Sequence, residues 1–407
     1  MKIAFVSNLF PDTSEPFRGL DNSVLLQHLA SLPSPPSDGR GGENRSACEI
    51  RVISPRPVLP FSPDSAGSRA PRPADEQFKP IYPKALYVPK IGSSVNHLLF
   101  ARAIRTPLQT LRETFPFDAI LCSWTYPDGC AVARVARELG VPFVLIAQGS
   151  DVHVYLQMAS RRKLICAAAN QSSATITRSK KLTELLREAG VAKEKLHPIY
   201  NGVDLETFRP GNRDASRKEL GLPLDAKIIL FVGNFFEIKN PLLLVDAHAE
   251  LCRRDPDGKI HLVMLGDGPL CDAAWSRANA SGCANAIHLL GRKPPAEVAR
   301  YMQAADLLCI SSDNEGVPNV VLEAFACGLP VVSTRVGGIP EVLTENFLGR
   351  LVEKRNLPAL VTALKQTLAT KAESDKIRNH AVQFSWERTA AAYLALLRNA
   401  ARRTETQ

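Results

Sequence analysis

The sequence predicts an α/β protein made of two doubly wound, Rossmann-like halves in tandem. Short apolar strands alternate with helices along the chain, which is typical of a parallel sheet covered by helices. The alternation stops around residues 201–214, where Pro210 and Gly211 indicate a linker, and then starts again. With 407 residues, the chain is also too long for one ordinary hydrophobic core.

The first half opens with a strand at residues 2–7 and a loop at residues 8–20. Further strands are expected at residues 49–54, 119–122, 143–146 and 174–177, and helices at residues 23–32, 95–114, 129–139 and 180–188. The buried stripe of the second helix is predicted to be Leu98, Ala101, Ile104, Leu108 and Leu111.

Two segments of the first half break this pattern. Residues 33–47 are rich in Pro, Gly and Ser, which predicts a flexible surface loop. Residues 55–90 hold many prolines and few periodic apolar positions, which predicts a long irregular excursion. Both are interpreted as insertions in the first domain.

The second half repeats the alternation and ends in an amphipathic helix. Its strands are expected at residues 227–232, 260–265, 287–289, 307–310 and 331–333. The last helix, at residues 386–398, carries one apolar stripe made of Trp386, Ala390, Tyr393, Leu394 and Leu397. We expect domains at residues 1–208 and 209–384, followed by a C-terminal helical segment at residues 385–407.

Composition and charge limit the location and the partners. No run of about 18 apolar residues predicts a membrane span. The first residues enter a strand directly and leave no room for a signal peptide, so a cytoplasmic protein is expected. Nine cysteines without CxxC spacing indicate reduced structural thiols rather than disulfides or a zinc site.

The net charge of +9 suits an anionic substrate, an anionic membrane surface or nucleic acid. No nucleic-acid motif occurs, so no nucleic-acid partner is expected. The basic clusters Arg161–Lys163 and Lys180–Lys181 suggest peripheral contact with anionic lipid on the inner face of a membrane. A solvated helix face explains each cluster equally well.

One stretch, residues 311–342, has the strongest functional signal. A polar loop leads into a mostly apolar helix that starts near Pro318 and stops at Gly328, and a short strand and a glycine turn follow. Glu315 lies in the loop and Glu323 lies inside the helix. A carboxylate in such a place is costly unless it is paired. Either the acids have structural partners, or they bind hydroxyls of a polar ligand at a helix N-terminus that also suits phosphate.

Other loops at the ends of strands carry polar residues suited to a ligand site. In the first half these are Arg18 with Gly19, and Gln148 with Gly149, Ser150 and Asp151. In the second half they are Gly233 and Asn234 with Lys239 five residues later, and the turn Gly266–Pro269. None of them matches the GxGxxG dinucleotide fingerprint or a P-loop.

These motifs together resemble family 4 glycosyltransferases. The donor-site signature is Glu315-x7-Glu323 within NEGVPNVVLEAFACGLPVVST, followed by Gly337–Glu341. The resemblance extends to Asn201–Asp204, Gly266–Pro269 and Trp124–Gly129, and it excludes residues 33–47 and 55–80. It implies the GT-B fold, with two Rossmann-like domains facing a cleft and the C-terminal helix returning to the N-terminal domain.

The resemblance also implies a retaining transfer of a sugar from a UDP- or GDP-linked donor, without a cofactor or a bound metal. Glu315 would hold hydroxyls of the donor sugar, Glu323 would hold the ribose, and Lys239 would neutralise the diphosphate. Arg18 and Gly19 would lie beneath that diphosphate, and Arg292 would lie beside the base. The backbone amides that would meet the donor belong to the segment of Gly316, Val317, Pro318, Asn319 and Val320.

Two positions depart from the family pattern. Asn234 stands where the family usually has arginine in a GRxxxxK pattern, which removes a positive charge from the leaving-group site. Gln148 stands where the family often has histidine, so it can donate a hydrogen bond to the sugar but cannot act as an acid or base. Asp151 is the nearest acidic candidate, orienting an acceptor or a neighbouring loop.

The leading interpretation is a transferase that acts on a glycan, lipid-linked or small-molecule acceptor in surface polysaccharide or glycolipid synthesis. The two departures leave open a catalytically impaired relative that serves as a binding or regulatory partner. A nucleotide-sugar epimerase on the same fold is a third interpretation, against which the Glu315-x7-Glu323 element argues. A nicotinamide dehydrogenase fits least, because the fingerprint glycines are missing.

Overall fold

The computed structural model describes residues 1–33, 46–60, 69–89, 92, 94–253 and 259–405. Within them the chain divides into two compact units, residues 1–200 with 386–407, and residues 201–385. The expected surface loop at residues 33–47 falls almost entirely outside the described residues. None of the described helices has both the length and the apolar character needed to cross a membrane.

The first unit is built on a parallel sheet with strand order β2-β1-β5-β6-β7-β8. Its strands are β1 (Lys2–Val6), β2 (Glu49–Ile53), β3 (Arg56–Val58), β4 (Lys84–Leu86), β5 (Ala119–Ser123), β6 (Phe143–Ala147), β7 (Ala174–Thr177) and β8 (Leu196–Pro198), of which β3 and β4 form a separate parallel pair. Its helices are α1 (Leu20–Ser31), α2 (Asn96–Thr114), α3 (Cys130–Leu139), α4 (Ser150–His153), α5 (Ala159–Gln171) and α6 (Lys180–Glu188).

The second unit repeats the design with strand order β11-β10-β9-β12-β13-β14. Its strands are β9 (Lys227–Val232), β10 (Ile260–Leu265), β11 (Ile287–Leu289), β12 (Leu307–Ile310), β13 (Val331–Thr334) and β14 (Gly349–Val352). Its helices are α7 (Arg213–Leu220), α8 (Pro241–Cys252), α9 (Cys271–Ala280), α10 (Pro295–Ala304), α11 (Asn319–Ala326), α12 (Ile339–Val342), α13 (Leu357–Ala369) and α14 (Ser374–Ala381). In both units the central strands are apolar and buried, as strands covered on both faces must be.

The last helix, α15 (Trp386–Glu405), belongs to the first unit. Its apolar stripe is buried and joins the core formed by β1 and α1, with the Trp386 indole stacked on the His28 ring at 5.6 Å. The prediction that the C-terminal helix returns to the N-terminal domain is therefore confirmed.

The described parts of the excursion, residues 55–60 and 69–89, are more ordered than the sequence suggests, and residues 61–68 and 90 lie outside the described residues. Besides β3 and β4 it contains a 3-10 helix at Pro73–Phe78. Buried Arg56 donates to the backbone carbonyls of Asn8 and Phe10 and pairs with Asp12 at 2.8 Å. Arg69 pairs with Asp12 as well, at 2.7 Å. These long-range ion pairs fasten the excursion to the loop after β1.

The stripe predicted on α2 is wrong at one end. Leu98 is 42% exposed, whereas Phe100, which is not part of the predicted stripe, is buried with Ala101, Ile104 and Leu108. At the start of the helix the buried stripe therefore runs through Asn96 and Phe100 rather than through Leu98. Helix α5 is a further element that the sequence pattern does not indicate, because its apolar residues are mostly small alanines.

Candidate functional site

In the second unit, two predicted site residues from different loops form an ion pair. Lys239 ends a 3-10 turn between β9 and α8, and Glu315 lies in the loop between β12 and α11. The Lys239 Nζ atom donates to Glu315 Oε1 at 2.6 Å and to Oε2 at 2.7 Å. The Glu315 side chain is 9% exposed and that of Lys239 is 27% exposed. The Lys239 ammonium therefore offsets the desolvation cost of the nearly buried Glu315 carboxylate.

Backbone contacts hold the two loops together. The Asp313 amide donates to the Ile238 carbonyl at 2.8 Å, and the Ser311 hydroxyl donates to the Lys239 carbonyl at 3.1 Å. The Ser312 hydroxyl donates to Glu315 Oε1 at 2.6 Å, so this carboxylate accepts a third hydrogen bond. Since β9 and β12 are neighbouring parallel strands, their following loops meet at the same edge of the sheet.

The glycine turn after β13 is in direct backbone contact with the Glu315 loop. Gly337 has a φ of +54°, and a Cβ placed there would lie 1.7 Å from the Glu315 carbonyl oxygen. The Gly338 amide donates to the Gly316 carbonyl at 2.9 Å. Only a residue without a side chain permits this approach, so Gly337 fixes where the Glu315 backbone lies.

Helix α11 begins directly after this loop. Pro318 precedes its first turn and no side chain caps it, so the amides of Asn319 and Val320 lie in the part of a helix that has no intrahelical acceptors. Val317 is buried beside them. Glu323 is half-buried one turn further along the same helix. The arrangement offers N–H donors and a positive helix end next to the Lys239–Glu315 pair.

The remaining predicted residues of this unit line the neighbouring loops. A Cβ at Gly266, whose φ is +144°, would lie 1.8 Å from the Gly233 carbonyl oxygen, so these two loops are in direct backbone contact. Arg292 follows β11, and its Nη2 atom donates to Asn234 Oδ1 at 3.4 Å, a long hydrogen bond. The structure thus brings together Gly233 with Gly266, and Asn234 with Arg292.

Four predicted residues belong to the first unit, where three of them are held by neighbouring loops. Arg18 donates from Nε to the Asn8 carbonyl at 2.8 Å and from Nη2 to Asn8 Oδ1 at 2.9 Å. Gly19 directly precedes α1 and accepts from the Asn22 amide at 3.0 Å. Gln148 Nε2 donates to Asn22 Oδ1 at 3.0 Å and to Ser123 Oγ at 2.7 Å. The expected hydrogen bond from Gln148 to a sugar would have to replace one of these, because both amide hydrogens are used.

Asp151, the fourth, is completely buried. Its carboxylate accepts from the amides of Thr125 (2.8 Å), Gln148 (3.0 Å) and Gly149 (2.8 Å). Burial raises the pKa of Asp151, and these backbone donors oppose the rise. Such surroundings suit a group that holds the loops after β5 and β6 together, rather than one that touches a substrate.

The sequence pattern does not single out Asp128 or Asn8. Asp128 is buried and accepts from the Asn8 amide at 2.6 Å and from Asn8 Nδ2 at 2.5 Å. Burial raises the pKa of Asp128 to about 7, although the Asn8 donors oppose the rise. Asn8 therefore joins Arg18 to Asp128, and the available signal was the position of Asp128 in the Trp124–Gly129 motif.

One residue of the basic cluster Arg161–Lys163 cannot take part in the predicted lipid contact, whereas Arg162 and Lys163 are exposed. Arg161 is buried, and its guanidinium lies over the rings of Tyr126 at 4.9 Å and Tyr155 at 4.4 Å. It therefore packs inside the unit and cannot meet a lipid headgroup. Among the described residues, no group of three or more His, Cys, Asp or Glu side chains is placed to hold a metal ion.

Two family models match the chain in adjoining segments. Residues 47–207 match "Glycosyltransferase Family 4" and residues 212–384 match "Glycosyl transferases group 1". A D-inositol 3-phosphate glycosyltransferase 1 of Catenulispora acidiphila is 31% identical over 67% of this chain and 70% of its own length. A D-inositol 3-phosphate glycosyltransferase of Corynebacterium glutamicum is 32% identical over 57% of this chain.

The chain spans little more than half the length of that corynebacterial relative, 58%, and similar shares of two others, 55% and 52%. Among solved structures, Anabaena HepE in complex with UDP has a TM-score of 0.72 at 19% identity, covering 98% of this chain and 100% of HepE. With its two parallel α/β units, the chain belongs to the family 4 glycosyltransferases of the GT-B fold.

Proposed function

We propose that the protein transfers a sugar from a nucleoside-diphosphate sugar, UDP- or GDP-linked, to an acceptor with retention of configuration. The observation that carries this proposal is the Lys239–Glu315 pair beside the N-terminus of α11. A diphosphate would compete with Glu315 for the Lys239 ammonium, and Glu315 would then be released to accept from sugar hydroxyls. Glu323, on the same helix, would accept from the ribose.

The proposed chemistry needs positive charge at the leaving diphosphate. Lys239 and the N-terminal end of α11, with the backbone amides of its first turn, would provide it without a metal ion or another cofactor. Arg292 would add a second cation near Asn234 and lie beside the base. Within the first unit, Asn8 holds Arg18 beside Gly19, and Asp151 holds the loop that carries Gln148.

The names of similar proteins support a nucleotide-sugar donor. HepE has been solved with UDP and with UDP-glucose, and the curated relatives are named D-inositol 3-phosphate glycosyltransferases. For this chain the acceptor is proposed only by class, as a glycan, a lipid-linked saccharide or a small molecule in surface polysaccharide or glycolipid synthesis. A cytoplasmic location, with contact to the inner face of a membrane, belongs to the same proposal.

Calorimetric titration with UDP, GDP and their hexose conjugates tests the donor site. Binding of one nucleotide and not the other would identify the base, and transfer would then be followed by mass spectrometry, with and without EDTA. Product anomers assigned by NMR would show retention or inversion. Donor that becomes an epimer without an acceptor would contradict transfer and favour the epimerase.

A second candidate is a relative that binds a partner without catalysis. Two observations favour it: Asn234 offers no charge to a leaving group, and the amide hydrogens of Gln148 are already used. Failure to bind any nucleotide in the same titration would support this candidate.

A further inference from the structure

Arg178 is a buried charge that lies against an aromatic ring and has no carboxylate partner among the described residues. It directly follows β7 and is 3% exposed. None of its side-chain nitrogens, Nε, Nη1 or Nη2, has a hydrogen-bond acceptor among the described residues, and no carboxylate in that part of the chain forms an ion pair with it. An uncompensated guanidinium in such a place is strongly unfavourable.

Two other buried arginines have the acceptors that Arg178 lacks. Arg217 donates to the carbonyls of Ala304 and Ala226 and pairs with Asp306 at 2.8 Å. Arg56 binds two carbonyls and Asp12. Each of these two guanidinium groups therefore has a carboxylate and backbone carbonyls as acceptors, although Arg56 Nε has none, whereas all three nitrogens of Arg178 are open and indicate a missing anion.

A second open polar group lies beside it. The Arg178 guanidinium is 5.8 Å from the centre of the Tyr393 ring on α15, and the buried Tyr393 hydroxyl has no hydrogen-bond partner among the described residues. Burial raises the pKa of Tyr393, although the Arg178 charge and an interaction of the Arg178 side chain with the hydroxyl, outside good hydrogen-bond geometry, oppose this, so the phenol stays neutral near pH 7. Tyr393 therefore supplies a donor and not the missing negative charge.

The position of Arg178 is also that of a ligand site. The Arg178 amide donates to the Ala147 carbonyl at 3.4 Å, so it lies where β6 and β7 end, at the edge of the sheet where α/β proteins bind ligands. Gln148 and Gly149 follow Ala147 directly. A Cβ at Gly149 would meet no heavy atom within 4 Å, so this loop borders open space.

We propose that Arg178 and Tyr393 form a binding site for one oxyanion, a phosphate or a carboxylate. The guanidinium fork contacts two of its oxygens, and the Tyr393 hydroxyl donates to one of them. In the part of this inference that rests on the proposed function, the oxyanion belongs to the acceptor. The acceptor class is then narrowed to molecules that carry a phosphate or carboxylate group.

Thermal unfolding in rising inorganic phosphate, at constant ionic strength set with chloride, tests the site without any glycosyl transfer. The wild-type Tm is expected to rise with phosphate. Arg178→Met should reduce this rise to the part that the Lys239 site contributes, and it should melt above the wild type when phosphate is absent. Arg187→Met is the matched control, because Arg187 is exposed on α6 and pairs with Glu184. It should keep the full response.

An equal phosphate response in Arg178→Met and wild type would overturn the site, as would no response in either. If Arg178→Met does not fold, Tyr393→Phe and Arg178→Lys carry the test, with phosphate affinity expected to fall severalfold in each. For the acceptor, Arg178→Lys should raise the acceptor KM and leave the donor Kd unchanged, and an unchanged KM would overturn this assignment. Absence of transfer in the wild type, with the phosphate response intact, would refute the proposed function and leave the anion site standing.

Discussion

Lys239 and Glu315 lie on loops that follow the neighbouring strands β9 and β12, and the lysine ammonium donates to both oxygens of the carboxylate. Each residue was a candidate from the sequence for contact with a different part of the donor. In the structure they are partners of one another. Any anionic ligand that binds Lys239 must therefore compete with Glu315 for it.

The pair should be measurable as a coupling between two substitutions. Lys239→Met leaves a nearly buried carboxylate with Ser312 as its remaining donor, and we expect it to lower the free energy of unfolding by about 1–3 kcal/mol. Glu315→Gln combined with Lys239→Met should recover part of that loss. Denaturant unfolding of the two single variants and the double variant gives the coupling, and strictly additive effects would contradict it.

Loss of the same lysine should impair transfer much more than it impairs folding. Lys239→Ala is expected to lower turnover by roughly two decades or more, as for loss of a key electrostatic donor. Lys365→Ala on α13 is the control, because Lys365 is exposed and lies in another helix. Steady-state kinetics that leave the turnover of Lys239→Ala at the control value would remove Lys239 from the proposed mechanism.

Glu323 should matter for the nucleotide. Glu323→Ala removes a charged acceptor, and the Kd for the preferred nucleotide is expected to rise about ten- to hundredfold, since a hydrogen bond to a charged group is worth about 1.5–3 kcal/mol. Titration calorimetry with the free nucleotide measures this without turnover. Glu345→Ala, an exposed acid outside α11, should bind as the wild type does. Equal affinity of the two variants would argue against the ribose assignment.

The glycine turn offers a pair of substitutions that separates backbone strain from steric clash. Gly337 and Gly282 both have positive φ, +54° and +76°, but only the Cβ at Gly337 would collide with the Glu315 carbonyl. Gly282→Ala should cost about 1–2 kcal/mol of stability for the left-handed conformation and leave nucleotide affinity intact. Gly337→Ala should cost more and weaken nucleotide binding, because the Glu315 loop must move. Matching affinities would show that the loop tolerates displacement.

The parts of the fold that local pattern determines were predictable. Strands β1 and β9 are each a continuous apolar run, and the apolar residues of α15 recur every three or four positions. Each pattern involves only residues that are close in sequence, so periodicity alone locates these elements. The ion pair between Arg56 and Asp12 joins residues that are 44 positions apart, and no local pattern at residues 55–90 indicates it. The pattern does not indicate helix α5, because most of its apolar residues are small alanines and because Arg161, polar in sequence, packs on two tyrosine rings.

In the candidate site, too, some features follow from the local sequence pattern and others only from the tertiary structure. Glu315, Glu323 and Lys239 stand out because a charged residue at the edge of an apolar element is locally unusual. Their mutual distances depend on which strands are neighbours, and the β9–β12 pairing is set by the whole sheet. Asp128 and Arg178 were not singled out, because only the tertiary structure shows that one is buried against Asn8 and the other is buried without an acceptor.

Asp128 predicts how the stability of the protein depends on pH. Burial raises its pKa from 3.8 to about 7, so between these values the folded chain keeps a proton that the unfolded chain has lost. The stabilising contribution of this carboxyl group is complete below about pH 4 and disappears as the pH rises through about 7.

Asp128→Asn cannot titrate, so the wild-type Tm minus the Asp128→Asn Tm should fall across that window and level off above it. Glu113→Gln on exposed surface of α2 corrects for general charge effects. A Tm difference that is constant with pH would mean that Asp128 is ionised throughout, with the Asn8 donors outweighing its burial.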